Sequence, residues 1–586
     1  MKRSSFALLL LWGCGSQAVA WHPGQPLAID VGGVFPAGTA VHEAYGGGKA
    51  SVSSAGTVTL TPGAEGVVLL EKDGAPPTPF SWAGATVYFV LTDRFLDGDP
   101  SNNHSYGRAS DGAQEIGTWH GGDLKGLTAK LDYLQSLGVT AIWMSSIVEQ
   151  VHGWVGGGNG DFKYYGYHGY WALDFTTLDA NLGTEADLQA LVDGAHQRGI
   201  RVLLDVVLNH PGYATGDDLV SYLPEVFKDG TGTQFKSFAP APGDPNGWLA
   251  WNLLVNYQSP NWVNWWTPKW IRAGLGAPGM FDAPGSDDLT RSLTFLPDFK
   301  TEKTELADLP VFLSRKSDTR FTSDLGFTVR QYLVKWQTDW VRKYGIDGFR
   351  CDTAKNVELG SWLALKQAGL AALHDWKTAN PAKKLDDAPF WMTGEVYGHG
   401  VSKDAYFSDG GFDSLINFDF QPAIRDLLTA KGTLAAGAAT LDPLYQSYAD
   451  KISGDASFAV LSYLSSHDTR LYYGDIAKYD AGQQRQAGTA LLLAPGASQI
   501  FYGDESGRRL GPVASDPLQA TRSDMNWGST DAAILAHFQK LGTFRQRHAA
   551  VGGGAHAKLP SAAGTYAFSR KLGTGDAVVV VLTPPQ

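Results

Sequence analysis

The chain has 586 residues, of which 43% are hydrophobic, so it holds ample apolar material for a packed core. Its formal net charge of -12 at pH 7 excludes nucleic acid and anionic membrane surfaces as expected partners, because both require a basic protein face. The 19 Trp, 23 Tyr and 27 Phe favour neutral ligands instead, since flat rings pack well against sugars.

The first 20 residues predict an exported protein, in the periplasm or secreted. They have a basic start, an apolar run from Phe6 to Trp12 and an A-x-A ending at Ala18 to Ala20, which is typical of a signal peptide removed before Trp21. In an alternative interpretation Leu11 to Cys14 is a lipobox, and a lipidated Cys14 anchors the protein. No later apolar stretch reaches the roughly 20 residues that span a bilayer, so no membrane span is expected.

Residues 21–82 predict a small β domain, because short alternating stretches such as Gly56 to Pro62 are separated by Gly and Pro. After residue 82, apolar runs alternate with amphipathic helices, for example Thr328 to Gly345, whose apolar residues are spaced three and four apart. Eight runs have the character of buried strands: ATVYFVLTDRF, TAIWMSS, RVLLDVVLNH, IDGFRCD, FWMTGEV, LINFDF, FAVLSYLSSHD and SQIFYGDE.

Eight strand-helix repeats predict an α/β fold, the (β/α)₈ TIM barrel, formed by residues 83–210 and 326–525. Residues 211–325 interrupt the repeat after the third strand, so we expect this insertion to rise over the C-terminal face, where active sites of the fold lie. Its tryptophan cluster, Asn261 to Trp270, has the spacing of a buried face more than of a sugar platform. Residues 526–586 predict a short C-terminal β region.

Polar residues follow four of the predicted strands and are expected to meet at one rim. Three of them are carboxylates on separate strands, Asp352, Glu395 and Asp468. Each alone is ordinarily solvated or salt-bridged, but together they predict glycoside chemistry, in which one carboxylate attacks the anomeric carbon and a protonated second one protonates the leaving oxygen. Further polar residues at these strand ends are Asp205, Asn209, His210, Arg350, Lys355 and His467.

Arg350 and Asp352 flank Cys351 at the end of the fourth run. Side chains alternate along a strand, so the first two are expected on one face and Cys351 on the other. The guanidinium would then keep the carboxylate ionised. Cys351 is predicted to be a packed apolar residue, and after processing it has no thiol partner for an intramolecular disulfide.

Four segments, in this order, resemble the signatures of the α-amylase family of glycoside hydrolases, family 13. They are DVVLNH from Asp205, GFRCDTAKN from Gly348, GE at Gly394 and SSHD from Ser465; with LPDF, YHGYW and IFYGDE they extend across the barrel. The resemblance implies an exported α-amylase, expected to be a monomer. It would hydrolyse α-1,4 bonds of starch and maltodextrins with retention, by a glycosyl-enzyme double displacement.

The resemblance also implies a role for each matching residue. Asp352 matches the nucleophile, Glu395 the general acid/base and Asp468 the third carboxylate, and a retaining pair is expected to lie about 5 to 5.5 Å apart. The substrate-binding residues that it implies are Arg350, His467, Asp205, His210, His168, Tyr170, Lys355 and Asn356.

Calcium is the ion that the resemblance implies. Asn209 and Asp298 match two side-chain ligands, with the carbonyl of Asn356 as a third, and oxygen ligands of this kind suit Ca²⁺. The Asp/Asn-rich stretch Asp97 to Asn103 is an ordinary turn or, alternatively, a second calcium loop.

Asn356 departs from the family, where a histidine is usual, so contacts to the leaving-group side are expected to differ, and this position loses any pH-dependent charge. Two alternative functions share the same carboxylates: a 4-α-glucanotransferase or a debranching enzyme. A third alternative is a carbohydrate-binding barrel without turnover.

Overall fold

A computed structural model describes residues 21–108, 116–237, 247–272, 276–321 and 326–586. The predicted signal peptide and Cys14 lie outside these ranges. No helix within them is both long and apolar enough to cross a bilayer.

Eight parallel strands form a closed barrel within the described ranges, which confirms the predicted fold class. The eighth strand pairs with the first to close the ring, with Phe501 opposite Phe89. Six strands fall inside the predicted runs, and the strands at LINFDF and SQIFYGDE each begin one residue before the run, at Ser414 and Ala497. The strands are β1 Thr86–Val90, β2 Ala141–Met144, β3 Arg201–Val206, β4 Gly348–Cys351, β5 Trp391–Gly394, β6 Ser414–Asn417, β7 Ala459–Tyr463 and β8 Ala497–Phe501.

The barrel strands are buried along their whole length, because side chains fill the barrel on one face and helices cover the other. Phe89 stacks on Trp143 inside the barrel with ring centroids 3.7 Å apart. Several of the helices begin at capping residues, such as Thr328, whose hydroxyl accepts from the backbone amide of Gln331. The helices packed around the strands are Leu124–Ala129, Leu131–Ser136, Glu185–Gln197, Val329–Tyr344, Leu359–Ala379, Phe420–Lys431, Ala438–Ile452, Ala481–Leu492 and Ala532–Arg547.

Both ends of the chain contribute to one antiparallel sheet beside the barrel. Val67–Lys72, from the N-terminal region, pairs with Asp576–Leu582, so that Leu70 lies opposite Val579. Apolar residues of both regions fill one small core behind this sheet. Its strands, in spatial order, are Ala555–Leu559, Tyr566–Leu572, Asp576–Leu582, Val67–Lys72, Ala40–Glu43 and Gly48–Ser51, and Leu27–Asp30 pairs separately with Thr57–Leu60.

The insertion after β3 carries only short elements, and it packs over the C-terminal face of the barrel. Trp262, Trp265, Trp266 and Trp270 are buried, as their spacing predicts. Two antiparallel hairpins in the segment between β2 and β3 stand beside the insertion: Val148–Gln150 with Ala172–Leu178, and Trp154–Gly157 with Phe162–Tyr165. The insertion's elements include Gly216–Tyr222, Thr233–Lys236, Trp248–Asn252, Ile271–Arg272, Asp298–Phe299 and Val311–Arg315.

Candidate active site

Arg350 holds three carboxylates together at the C-terminal ends of neighbouring strands. Its Nη1 donates to Oδ1 of Asp352 at 2.8 Å and to Oδ1 of Asp205 at 2.9 Å. Its Nη2 lies 2.9 Å from Oε2 of Glu395. Asp352 and Glu395 directly follow β4 and β5, which pair in parallel, and this pairing places the two carboxylates on the same guanidinium.

The strand geometry separates Cys351 from this group. Arg350 and Asp352 share one face of β4, as their contact requires, while Cys351 is fully buried. Burial raises the pKa of the Cys351 thiol well above its ordinary value. Cys351 is therefore a packed residue and not a nucleophile.

Burial raises the pKa values of the two central carboxyl groups. It brings the pKa of Glu395 to about 7, where Arg350 opposes the rise and Asp352 and Asp468 add to it. It brings the pKa of Asp352 to about 6, again against Arg350. Glu395 is therefore the carboxyl group that keeps its proton to the higher pH, as a general acid must.

Asp468 follows β7 and stays ionised. Oδ2 of Asp468 lies 2.9 Å from Nε2 of His467, and its Oδ1 accepts from Nη2 of Arg522 at 2.7 Å. Burial opposes ionisation, but His467, Arg522 and Arg350 together outweigh it and lower the pKa of Asp468. The site thus contains one carboxyl group with a raised pKa, Glu395, and one with a lowered pKa, Asp468.

A cleft of about 840 Å³ opens above these groups. Asp352, Glu395 and Asp468 lie at its floor, together with the predicted residues His168, Tyr170 and His210. The insertion and the hairpin of Trp154–Gly157 with Phe162–Tyr165 contribute to its walls. The volume lies within the range of about 300–1,000 Å³ that small-molecule sites occupy. Aromatic side chains along the walls include Tyr164, Trp171, Tyr213, Trp251, Tyr257, Trp262, Trp265 and Phe281.

Tyr170, His168 and His210 form an uncharged rim around the floor. The Tyr170 hydroxyl donates to Oδ2 of Asp205 at 2.8 Å, and its ring stacks on His467 with centroids 5.3 Å apart. Burial lowers the pKa of His210 to about 4 and that of His168 well below its ordinary value. Neutral imidazoles of this kind bind sugar hydroxyls as donors and acceptors without adding charge.

Lys355 and Asn356 contact the insertion. Lys355 Nζ lies 3.0 Å from Oδ2 of Asp288, and Nδ2 of Asn356 donates to the backbone carbonyl of the same residue at 2.6 Å. Neither is among the described residues that line the cleft. In this structure the two residues fasten a segment of the insertion beside β4.

Oxygen atoms suited to a hard cation lie at two places. Oδ1 of Asn209 is buried and accepts no hydrogen bond from the described residues, and the Asn209 carbonyl accepts from the amide of Phe299, beside the buried Asp298. Arg272 Nη1 lies 2.5 Å from Oδ2 of Asp298. A cluster of three or more His, Cys, Asp or Glu side chains that could hold a metal does not occur in the described ranges.

The second place is the loop Asp97 to Asn103. Oδ1 of Asn102 and Oδ1 of Asn103 are buried, and no described residue donates to them. Nδ2 of the Asn102 side chain donates to Oδ2 of Asp123 at 3.0 Å, and Nδ2 of the Asn103 side chain donates to Oδ2 of Asp97 at 2.8 Å. Two buried amide oxygens beside two carboxylates are a donor set that suits Ca²⁺.

Arg522 and Trp143 belong to the site but carry no sequence signal that identifies them. Arg522 is the last residue of the short 3-10 helix Pro517–Arg522 after β8, and it contacts Asp468 and the Tyr164 hydroxyl, the latter at 2.6 Å. Trp143 lies within β2 and donates from Nε1 to Asp205 at 3.0 Å. The sequence around Arg522 shows no hydrophobic period. Trp143 is one apolar residue within an apolar run, so nothing distinguishes it from its neighbours.

Comparisons with known proteins agree with this geometry. The family model described as "Alpha amylase, catalytic domain" matches residues 89–248 and 301–551. The protein named periplasmic alpha-amylase of Escherichia coli (strain K12) is 50% identical over 572 residues, which cover 95% of this chain and 81% of that protein. An alpha-amylase of Streptomyces lividans is 30% identical over 519 residues, which cover 78% of this chain and 50% of that protein.

Among solved structures, the crystal structure of alpha-amylase from Geobacillus thermoleovorans in complex with acarbose has the same fold. Its TM-score is 0.54 at 23% sequence identity, and the match covers 84% of this chain and 85% of that chain.

Proposed function

The chain belongs to the α-amylase family of glycoside hydrolases, and from this premise we propose that it is an exported α-amylase that hydrolyses α-1,4 bonds of starch and maltodextrins with retention. The observation that carries the proposal is the single guanidinium of Arg350, which contacts both Asp352 and Glu395. Two carboxylates on one guanidinium are close enough to act on the two sides of one glycosidic bond.

The two carboxylates divide the reaction between them. The carboxylate of Asp352 attacks the anomeric carbon, while Glu395 gives its proton to the leaving oxygen, so the glycosidic C–O bond breaks as a glycosyl ester forms. Water, deprotonated by Glu395, then hydrolyses the ester and restores both groups. The amide of Thr353 donates to Oε2 of Glu395 at 3.0 Å, and Arg350 contacts the same oxygen, so the proton is carried on Oε1.

Asp205 and Asp468 take no part in bond cleavage; Asp205 orients neighbouring groups and Asp468 binds the sugar. Asp205 accepts from Arg350, Tyr170 and Trp143, so it orients the guanidinium and the stacking ring. Asp468 stays ionised and accepts sugar hydroxyls, with Arg522 fixing its position. His168, His210 and His467 complete the set of groups that bind the cleaved sugar.

Calcium fits the residues present, and we place it with Asn209 and Asp298, where it ties the insertion to the end of β3. The unpartnered Asn209 oxygen and the buried Asp298 carboxylate support this placement, and a backbone carbonyl such as that of Asn356 would add a further ligand. The loop Asp97 to Asn103 supports a second site. The ion would stabilise the attachment of the insertion to the barrel and would take no part in the hydrolysis.

The catalytic assignment is tested by reducing-end release from soluble starch. Asp352→Asn and Glu395→Gln are expected to lower kcat by about 10³-fold or more, because each removes a group that acts in the transition state. Both variants are isosteric, so an unchanged Tm shows that they fold. NMR of the first products is expected to show the α-anomer; β-anomeric products would exclude the double displacement.

The same assay distinguishes the alternative enzymes. A glucanotransferase disproportionates maltotriose without a net gain of reducing ends, and a debranching enzyme releases chains from α-1,6 branch points. Binding of maltodextrins with no turnover would leave only a carbohydrate-binding barrel.

The calcium proposal is tested on chelator-treated protein. Titration calorimetry is expected to show Ca²⁺ binding, and saturating Ca²⁺ at about 1,000 times Kd stabilises the folded state by about 4 kcal/mol. Asn209→Ala is expected to remove one site and Asn103→Ala the other. Identical Tm values with EGTA and with Ca²⁺ would exclude both sites.

Export is proposed from the first 20 residues, and the periplasmic location of the Escherichia coli relative supports it. Signal cleavage before Trp21 leaves a soluble protein, whereas a lipidated Cys14 leaves an anchored one. Mass spectrometry of the mature N-terminus distinguishes the two.

A further inference from the structure

A second cavity lies on the insertion next to the cleft, and the two share aromatic walls. It has a volume of about 350 Å³, within the range of about 300–1,000 Å³ that small-molecule sites occupy. Phe281 and Phe295 line both this cavity and the catalytic cleft. A chain molecule that leaves the cleft beside these rings therefore enters the second cavity directly.

Phe295 is unusual among the apolar residues of the protein because 79% of its surface is exposed. It also has a positive φ of 65°, and the preceding Thr294 has one of 46°. Large side chains rarely adopt this left-handed conformation, and such backbone persists only where surrounding contacts fix it. An exposed ring in a constrained conformation at the mouth of a cleft offers a fixed apolar face on which a ligand can stack.

Three hydrogen bonds fix the segment that carries Phe295. The Tyr213 hydroxyl donates to the carbonyl of Thr294 at 2.6 Å, and the Ser292 hydroxyl donates to the carbonyl of Leu296 at 2.5 Å. Further along, the Asn356 amide donates to the carbonyl of Asp288. The ring is therefore held in place from both ends of its segment, which lowers the cost of binding a ligand against it.

The chemistry of the second cavity fits a sugar. A pyranose has an apolar C–H face that packs on an aromatic ring, and hydroxyls around its edge that need hydrogen-bond partners. The cavity offers the ring of Phe295 together with the carboxylate of Asp282, whose side chain is 63% exposed and lies 2.6 Å from Nζ of Lys300. Lys300 holds this carboxylate in place as an acceptor for hydroxyl groups.

We propose that Phe295 is a stacking platform that carries an α-1,4-glucan chain from the catalytic cleft into the second cavity, where the chain's distal sugar units bind. This inference rests on the proposed function, because it takes the occupant of the cleft to be a glucan. It makes Phe295 a specificity-determining residue for long substrates and gives it no part in bond cleavage.

The test compares maltooligosaccharides of three to eight glucose units. Phe295→Ala is expected to lower kcat/KM about tenfold for the longest substrates, through KM, and to leave kcat and the shortest substrates unchanged. Phe295→Trp is expected to restore the long-chain preference. Leu289→Ala is the control, because Leu289 is 40% exposed on the same segment and lines neither cavity.

Binding is measured separately from turnover. In the Asp352→Asn background, calorimetry with maltoheptaose is expected to show about tenfold weaker binding when Phe295 is also replaced by alanine, and end-labelled maltoheptaose is expected to show a shifted cleavage pattern in the single Phe295→Ala variant. An equal loss for all chain lengths, or no loss, overturns the platform. Absence of wild-type turnover on every chain length would instead overturn the proposed function.

Discussion

One guanidinium at the centre of the site sets the charge of its neighbours. Arg350 is fully buried, and its single positive charge contacts Asp205, Asp352 and Glu395. Three buried carboxyl groups cannot all ionise at little cost beside one cation, so burial keeps their pKa values above the ordinary range. Because one cation cannot neutralise three carboxylates, Glu395 retains the proton that the reaction needs.

The pH dependence of kcat/KM follows from these pKa values. Asp352 must be ionised to attack, so activity falls as the pH drops through about 6. Glu395 must be protonated to act as the acid, so activity also falls as the pH rises through about 7. We expect a narrow bell-shaped profile with its maximum between these values, measured on a short maltooligosaccharide.

Asp205→Asn is expected to shift the acidic limb of the pH profile. The charge of Asp205 raises the pKa of Asp352, so its removal is expected to move the acidic limb to lower pH. A profile that loses amplitude without any shift of the acidic limb would contradict this account of the charge balance. Asp352→Asn cannot serve this purpose, since it removes the nucleophile itself.

Arg522 is expected to act as a positioning residue for Asp468. Arg522→Met is predicted to lower kcat/KM by about 10- to 100-fold, because a small displacement of a binding group at a reacting centre is costly. Arg522→Lys keeps the positive charge but lacks the planar guanidinium whose two Nη atoms contact Asp468 and Tyr164. It should therefore recover only part of the lost kcat/KM. Arg509→Met, at an exposed position on the same segment, is the control.

Sequence patterns predict the residues at strand ends far better than those elsewhere. Asp352 and Glu395 are predictable because each directly follows an apolar run, and strand parity further places Arg350 beside Asp352. Arg522 follows no apolar run, since it ends a 3-10 helix of only six residues, which is too short to show a hydrophobic period. The contact between Asn356 and Asp288 joins residues on different segments, and no local pattern encodes it.

Among the elements, the insertion is attached to the barrel by a buried lysine. Lys316, with a side chain 1% exposed, lies 2.6 Å from Glu149 and 3.5 Å from Asp174, and both carboxylates are fully buried. Glu149 belongs to one strand of the hairpin after β2 and Asp174 to the other. The lysine thus joins the insertion to both strands of the hairpin of Val148–Gln150 with Ala172–Leu178.

Lys316→Met is expected to destabilise the protein by about 3–5 kcal/mol, because it leaves buried carboxylates without a cation. Lys269→Met is the matched control, because that lysine lies 3.0 Å from Asp308 at an exposed position where solvent screens the pair, so its loss should change the stability little. Chemical denaturation of the two variants measures the difference, and equal midpoints would show that the buried contact does not support the insertion.

The elements of the barrel are predictable and those of the insertion are not, for a physical reason. A strand of the barrel is buried on both sides and therefore appears as an unbroken apolar run, such as that of β7. The helices of the insertion are only four to seven residues long, for example Thr233–Lys236 and Gly216–Tyr222. So short a helix does not complete enough turns to show a period.

At the scale of the whole molecule, the two β regions at the chain ends depend on one another. The strand Val67–Lys72 lies between the C-terminal strand Asp576–Leu582 and the N-terminal strand Ala40–Glu43. The two regions are each predictable as β structure, but their pairing joins positions about 500 residues apart and has no sequence signal.

Deletion of residues 21–82 is therefore expected to expose an apolar strand edge on Asp576–Leu582, and the truncated protein should aggregate or melt at lower temperature. Size-exclusion chromatography and a thermal melt measure both effects. A truncated chain that stays monomeric with the full-length Tm would show that the C-terminal strands need no N-terminal neighbour.

The same pairing sets the order in which the protein can mature. Leu70 finds its partner strand only when Val579, about 500 residues later in the chain, is available. At a synthesis rate of about 5–20 residues per second, the N-terminal strands wait roughly half a minute or more for that partner. If the protein crosses a membrane unfolded, as the proposed signal peptide implies, this sheet cannot be completed before residues 576–582 have also crossed.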